Sequence, residues 1–415
     1  MTNSSFSLIF VFFLAATTAF KLWLATRHAR HVHKHRAQVP ADFAEAISLS
    51  AHQKAADYTV ARSVISRADV IISALWVLIL TLGGVLQWLH EAWADVLQTG
   101  GIAHGVAFLA SIGVLGWLVD LPLSIYRTFF VEARFGFNKM TPTLFASDAA
   151  KTAVLAAIIG LPVLAAVLWL MNAMGTLWWL WVWAFWMGFN LLVLLIYPTF
   201  IAPMFNKFSP LEDGPMRQRI EALLTRCGFR SSGLFVMDGS RRSAHGNAYF
   251  TGFGNSKRIV FFDTLLDKLD PPEIEAVLAH ELGHFRCRHV VKRLALMAVV
   301  TLAMLWILNQ LMQAPWFFAG LGASATTTAM ALALFMTALP VFTYALSPLM
   351  SAWSRKHEFE ADAYAVARTG KEDLVNALVK LYRDNAATLT PDPLYSNFYD
   401  SHPPAAIRIE RLRAA

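Results

Sequence analysis

The 415-residue chain carries 35 Lys and Arg against 28 Asp and Glu, is 56% hydrophobic and only 15% charged, whereas a soluble domain is about 25% charged. Together with 14 Trp and 30 Phe, that balance excludes an ordinary soluble enzyme, because one aqueous core of this size cannot hide so much apolar area. The net charge of +7 reads as membrane topology and not as nucleic-acid affinity, since basic residues of membrane proteins gather in cytoplasmic loops. Two cysteines, Cys227 and Cys287, supply neither a disulfide framework nor a thiolate cluster.

In chain order, apolar runs at 6–26, 68–90, 102–126, 152–174, 176–201, 292–314 and 326–350 each approach the roughly 20 residues that cross a bilayer. The first lacks a basic leader and a cleavage site, so it reads as a retained span. Arg27, Arg30, Lys34 and Arg36, then Arg127, Arg134, Lys139 and Lys151, then Arg286, Arg288, Lys292, Arg293, Arg355 and Lys356 fall on one side. The alternate connections, Glu91–Gly101, Met174–Thr176 and Gln313–Thr326, contain no Lys or Arg. Seven spans with the amino end outside and the carboxyl end in the cytoplasm satisfy every loop. The His/Arg-rich stretch His28–Arg36 reads as a solvated or headgroup-facing helix end. Asp120 and Asn190, costly in lipid, should face an interior or a wet cavity.

The expected organisation is membrane helices over 1–202, a first part of a water-compatible domain over 203–291, two membrane helices over 292–350, and a second part of that domain over 351–415. Short β-prone runs at Gly233–Met237, Asn247–Thr251 and Arg258–Phe262 predict a small sheet in the first part. The fold class is therefore a mainly α, polytopic membrane protein with a cytoplasmic α+β domain.

In that domain His280-Glu281-Leu282-Gly283-His284 fits H-E-x-x-H, which makes it a zinc metalloprotease domain; this composition would produce such a pentad by chance in about one chain in a hundred. Asp270-Pro271-Pro272-Glu273 supplies an N-cap, a helix-starting proline and a capping-box glutamate just upstream. Residues four apart on the resulting helix share a face, so His280 and His284 can chelate one ion, while Glu281 lies beside that face as a general base. The form extended by glycine and a third histidine is excluded, because Cys287 and Val290 occupy those positions. Cys287 is a weak reserve ligand. In the run Ser354–Asp362, Glu358 and Asp362 stand one helical turn apart; Glu358 is expected as the third ligand and Asp362 as the carboxylate orienting a ligand imidazole. Glu360 is expected to point elsewhere, into solvent. A fourth position stays open for water.

These residues resemble the type I CAAX prenyl endopeptidases, integral-membrane zinc metalloproteases. The likeness covers most of the chain: Glu132–Thr141, His245–Phe253, the pentad, Ser354–Asp362 and Ser401-His402-Pro403-Pro404. The resemblance implies a ring of membrane helices enclosing a chamber capped by the zinc domain, with substrate added as a strand near Asn247. It also implies that His402 stabilises the oxyanion and that Asn247 contacts substrate. Tyr249 and Phe250 are expected in strand packing. Arg408 and Arg411 are expected at the surface, or else paired with buried carboxylates of the zinc domain. The expected activity is peptide hydrolysis with one Zn2+, on a substrate that is a peptide or protein, prenylated or not, in contact with the bilayer. Neither nucleic acid nor an oligomer is required. Two other readings are open: a heat-shock-type quality-control metalloprotease, and a transporter or chaperone chamber with structural zinc. The absence of a retrieval signal at Arg413-Ala414-Ala415 favours a bacterial inner membrane over the endoplasmic reticulum.

Overall fold

The computed structural model describes residues 1–251 and 258–414. It is mainly helical, and seven of its helices are long and apolar enough to cross a membrane. In chain order the helices begin with α1 (Asn3–His35), α2 (Leu49–Leu80), α3 (Val85–Ala94), α4 (Ile102–Tyr126), α5 (Pro142–Leu155), α6 (Leu161–Ala173), α7 (Trp178–Ile196) and α8 (Ala202–Phe205). Short wide turns at Arg127–Glu132, Ala156–Gly160 and Tyr197–Ile201 extend or join several of these. The second span differs from the sequence expectation. Its helix starts well before residue 68 and stops at Leu80, because Gly84 takes a left-handed φ of 79°. Gly83 packs so tightly that a Cβ there would lie 2.7 Å from the Ile79 carbonyl oxygen. The glycine pair turns the chain into α3.

A second block begins with β1 (Phe208–Pro210), α9 (Pro215–Arg226), β2 (Gly233–Met237), β3 (Ala248–Thr251), β4 (Arg258–Phe262), α10 (Asp263–Leu266) and α11 (Pro271–Arg286). It is followed by α12 (His289–Leu311), α13 (Pro315–Gly320), α14 (Thr328–Thr343), α15 (Ser347–Val366), α16 (Lys371–Asp384), α17 (Pro393–Tyr399) and α18 (Ala405–Ala414). The four strands form one sheet in the order β1-β2-β4-β3. β2 and β4 are parallel in the register Phe235↔Val260, and β3 runs antiparallel to β4 with Tyr249↔Val260. β1, three residues long, was not expected; it is too short to show an alternating pattern. β3 therefore lies at a sheet edge, beside α11. Within the block expected at His245–Phe253, Gly252, Phe253 and the side chains of Phe250 and Thr251 lie outside the described residues.

Two apolar cores hold the molecule. One, built by Phe10, Phe108, Leu308, Phe317, Met330 and Leu334 among others, joins the membrane helices. The other joins Ile220, Phe261, Leu278 and Leu282 to Leu374, Leu378 and Ile409, across the insertion of α12–α14. Phe43 and Ile47, between α1 and α2, pack into that second core, so burial of their side chains ties the first membrane hairpin to it.

His28–Arg36 is not simply a solvated end. His28 is buried and its ring stacks on Tyr395 at 4.0 Å. Its Nδ1 accepts the Asp392 backbone N–H at 3.3 Å, while Arg27 Nε donates to the Asp392 carboxylate at 2.9 Å. Asp392 in turn caps α17 by accepting from the backbone N–H groups of Leu394 and Tyr395. The end of α1 thus anchors the segment that leads to His402. Asp120 is exposed and lines an open cavity with Lys21 and Asp69, in keeping with a wet surrounding. Asn190 satisfies its amide locally by donating to the Trp186 carbonyl at 2.8 Å.

Candidate metal centre

α11 starts where the sequence signals place it. Asp270 is the N-cap, Pro271 opens the helix, and the Asp270 backbone N–H donates to Glu273 Oε2 at 2.8 Å. Lys380 from α16 pairs with both carboxylates of this box, and Arg219 and Arg226 of α9 pair with buried Glu275. The helix is fixed on two sides before it presents His280 and His284.

The structure brings His280, His284 and Glu358 together, their ligand atoms all lying within 4.8 Å of one another. The His280 and His284 Nε2 atoms are 3.2 Å apart, and each stands 3.4 Å from an oxygen of Glu358. Ligands at about 2.0–2.1 Å from a tetrahedral ion are about 3.3 Å from one another, so the donor set has the size of one zinc-like site. Glu358 Oε2 is buried with no hydrogen-bond partner, a cost of several kcal/mol for a carboxylate unless a cation faces it. Burial first, and the neighbouring His280 next, push the His284 imidazole down to about 3; it is neutral at physiological pH with a lone pair to give. The residues present fit a divalent metal.

Each imidazole is held from behind. His280 Nδ1 lies 2.8 Å from Asp362 Oδ1, and buried Arg408 donates to both oxygens of that carboxylate at 2.6 and 2.7 Å. With Nδ1–H given to the carboxylate, His280 Nε2 is left as the metal-facing lone pair. His284 Nδ1 lies 2.8 Å from His289 Nδ1, and His289 Nε2 lies 2.9 Å from Glu360. Glu360 is therefore not a free solvated carboxylate; it braces the second imidazole and also meets Lys292. Cys287 keeps company with His289 and Glu360 and does not belong to the group around Glu358. The sequence reading left Arg408 between two roles, and the buried pair decides it; Arg411 instead covers the Phe359 ring at 4.4 Å. The sequence reading set His289 aside as one residue out of register for a third metal-binding histidine and gave it no bracing role, although a histidine five residues past His284 at a helix junction was the available signal. Arg288, at φ 56° between α11 and α12, turns the chain there.

Glu281 is half-buried on α11, and desolvation, opposed in part by His280, holds its carboxyl above the usual range. His402 stands at the open side, its ring 64% exposed and its Nε2 3.6 Å from Glu358. Arg355 of α15 fixes the segment before it by donating to the carbonyls of Ser396 and Asp400. Asn247 is exposed immediately ahead of edge strand β3, and its Oδ1 accepts the Ala248 N–H at 2.8 Å. Tyr249 packs edge-on against Phe262, as expected of a strand residue.

Oriented imidazoles on α11 and a buried carboxylate on α15, in a chain whose described residues include seven helices long and apolar enough to cross a membrane, define a membrane metalloendopeptidase. Comparison with known proteins agrees over nearly the whole chain. Residues 28–207 match the family described as CAAX prenyl protease N-terminal, five membrane helices, and residues 210–415 match peptidase family M48. CAAX prenyl protease 1 of Saccharomyces cerevisiae is 40% identical over 329 residues, 75% of this chain and 72% of that protein. The human CAAX prenyl protease 1 homolog is 30% identical over 440 residues, covering 94% and 92%. The crystal structure of S. mikatae Ste24p superposes with a TM-score of 0.91 at 33% identity, covering 98% of this chain and 99% of that one. The chain belongs to the CAAX prenyl protease group of peptidase family M48. Neither the quality-control nor the structural-zinc chamber reading is favoured by these relatives.

Proposed function

We propose that His280, His284 and Glu358 hold one Zn2+ and that the protein cleaves peptide bonds near the carboxyl end of prenylated CAAX sequences. The observation that carries this reading is the buried Glu358 carboxylate, one oxygen of which makes no hydrogen bond, facing two oriented imidazoles at 3.4 Å. The printed names of the relatives supply the substrate class. Bound there, zinc would supply a Lewis acid for the scissile carbonyl and make water a nucleophile near neutral pH. Glu281 takes the proton from that water and returns it to the departing amine, a role its raised pKa suits. His402 donates to the carbonyl oxygen as negative charge grows on it. Asn247 meets the substrate backbone beside the β3 edge, where an extended peptide can add as a strand. Asp362 and Arg408 keep His280 in the right tautomer.

The protease unit is divided, 203–291 and 351–415, around the hairpin 292–350; the shared apolar core of the two parts supports this division. The Lys and Arg distribution supports a cytoplasmic position for it. One chain supplies every site residue, so an oligomer is not required. The relatives compared are eukaryotic, so the expectation of a bacterial inner membrane gains nothing from them. Cleavage of a farnesylated peptide and its unprenylated twin, with and without chelator, tests the reading. Chelator-sensitive cleavage of the farnesylated peptide is expected; cleavage indifferent to chelator would refute the metal assignment.

A further inference from the structure

A cavity of about 790 Å³ adjoins His402 and reaches into the membrane helices, where Tyr58, Arg62, Asp69, Arg127 and His245 line it. Its charges are unequal in their partners. Other arginines of the chain pair with carboxylates, among them Arg27 with Asp392, Arg36 with Asp57, Arg242 with Asp148 and Arg408 with Asp362. Arg62 on α2 lies over the Tyr58 ring at 5.5 Å, and Arg127 follows the end of α4. Neither guanidinium has an ion-pair partner among the described residues. Asp69 and Asp400 line the same cavity, but neither carboxylate comes within ion-pair distance of Arg62 or Arg127, and Glu132 accepts the Tyr58 hydroxyl at 2.7 Å and faces His245. Charged side chains at membrane helices face water-filled paths and mark what those paths carry. A planar guanidinium is the group best shaped for a carboxylate.

We propose that Arg62 and Arg127 form a subsite for the substrate's C-terminal carboxylate, so that the cut is measured from the end of the chain. This deepens the peptidase reading above and rests on it. A carboxylate entering the cavity from the His402 side neutralises two cations that the fold leaves unpaired. A carboxamide at the same place gains no charge pairing and offers one fewer acceptor to the guanidiniums. The acidic group is committed to the chain terminus and not to a side chain, and the test separates the two.

The experiment uses the full-length enzyme in detergent and three peptides: a free-acid peptide, the same peptide as a C-terminal carboxamide, and a carboxamide whose last residue is Asp. A charge-assisted pair predicts that the native enzyme prefers the free acid by about tenfold in kcat/KM, carried by KM. In the double variant Arg62→Gln, Arg127→Gln the ratio should fall toward one, and the Arg62→Lys, Arg127→Lys variant should recover part of it. Equal cleavage of acid and amide by the native enzyme overturns the proposal, and this needs no variant to fold. A ratio that survives the double Gln substitution, or Asp-carboxamide cleaved as well as the free acid, also overturns it. Cleavage of none of the three by native enzyme overturns the peptidase reading itself, a result distinct from equal cleavage.

Discussion

Gly283 and Ala361 meet where α11 crosses α15: a Cβ built on Gly283 would stand 2.8 Å from the Ala361 Cα and 2.9 Å from its carbonyl oxygen. Both residues are fully enclosed. This backbone-to-backbone approach lets a carboxylate three residues before Ala361 reach imidazoles three residues before and one residue after Gly283. The glycine inside H-E-x-x-H thus sets the distance between two helices, which a zinc motif read along one helix does not reveal. Gly283→Ala should force the helices apart. Overpacking of this kind costs about 1–3 kcal/mol, and the expected result is weaker metal retention on titration with a chelator alongside a lower unfolding temperature. Native metal retention in a folded Gly283→Ala protein would show that the crossing does not set the site.

Glu281→Gln keeps the side-chain shape and removes the proton acceptor. Because His280, His284 and Glu358 are untouched, metal content per chain should match the native protein. General-base loss predicts a fall in kcat of about 10²–10⁴-fold. Elemental analysis and a peptide assay on the same preparation separate the two effects, and a Gln variant of near-native turnover would remove Glu281 from the mechanism.

Asp362 orients His280 and shares its charge with Arg408. Asp362→Asn leaves an acceptor for one partner but removes the counter-charge of a buried guanidinium. Loss of such an orienting carboxylate lowers metal affinity by about 10–100-fold, to be read by competition with a chromophoric chelator. Arg408→Met removes the other half and leaves the Asp362 carboxylate buried with only His280. Stranding one member of a buried ion pair costs about 3–5 kcal/mol, so both variants should unfold at a lower temperature than the native protein.

Much of this centre is visible in the primary structure, for a physical reason. His280, Glu281 and His284 are close along one helix, so the 3.6-residue repeat alone brings them together, and Glu358 and Asp362 form a second pair one turn apart. Hydropathy likewise finds all seven spans, because crossing lipid demands a long apolar run wherever the helix sits. What the sequence hides is whatever depends on packing between distant elements. Helices α1 and α2 run far past their apolar runs, since polar residues continue a helix into water without a hydropathy signal. The braces behind the imidazoles, Glu360 through His289 and Arg408 through Asp362, join residues 71 and 46 positions apart. No spacing rule links them.

The same limit applies to the loop that carries Asn247. Asn385, at the end of α16, accepts the Gly246 backbone N–H at 3.1 Å and lies 3.3 Å from His245 Nδ1. The His245 ring stacks on Phe137 at 4.3 Å, and its Nε2 lies 3.7 Å from Glu132, which also accepts the Tyr58 hydroxyl. Membrane helix α2, the segment after α4 and the end of α16 therefore converge on the two residues preceding Asn247. Asn385→Ala leaves the buried Gly246 N–H without its acceptor, which costs about 1–3 kcal/mol locally. Because none of these residues touches the metal ligands, metal content should stay native while KM for peptide rises. Asn385→Asp, which keeps the acceptor oxygen, should bring KM back toward native. A KM that does not move in Asn385→Ala, or a loss confined to kcat, would mean that this cluster supports the fold without placing the substrate strand.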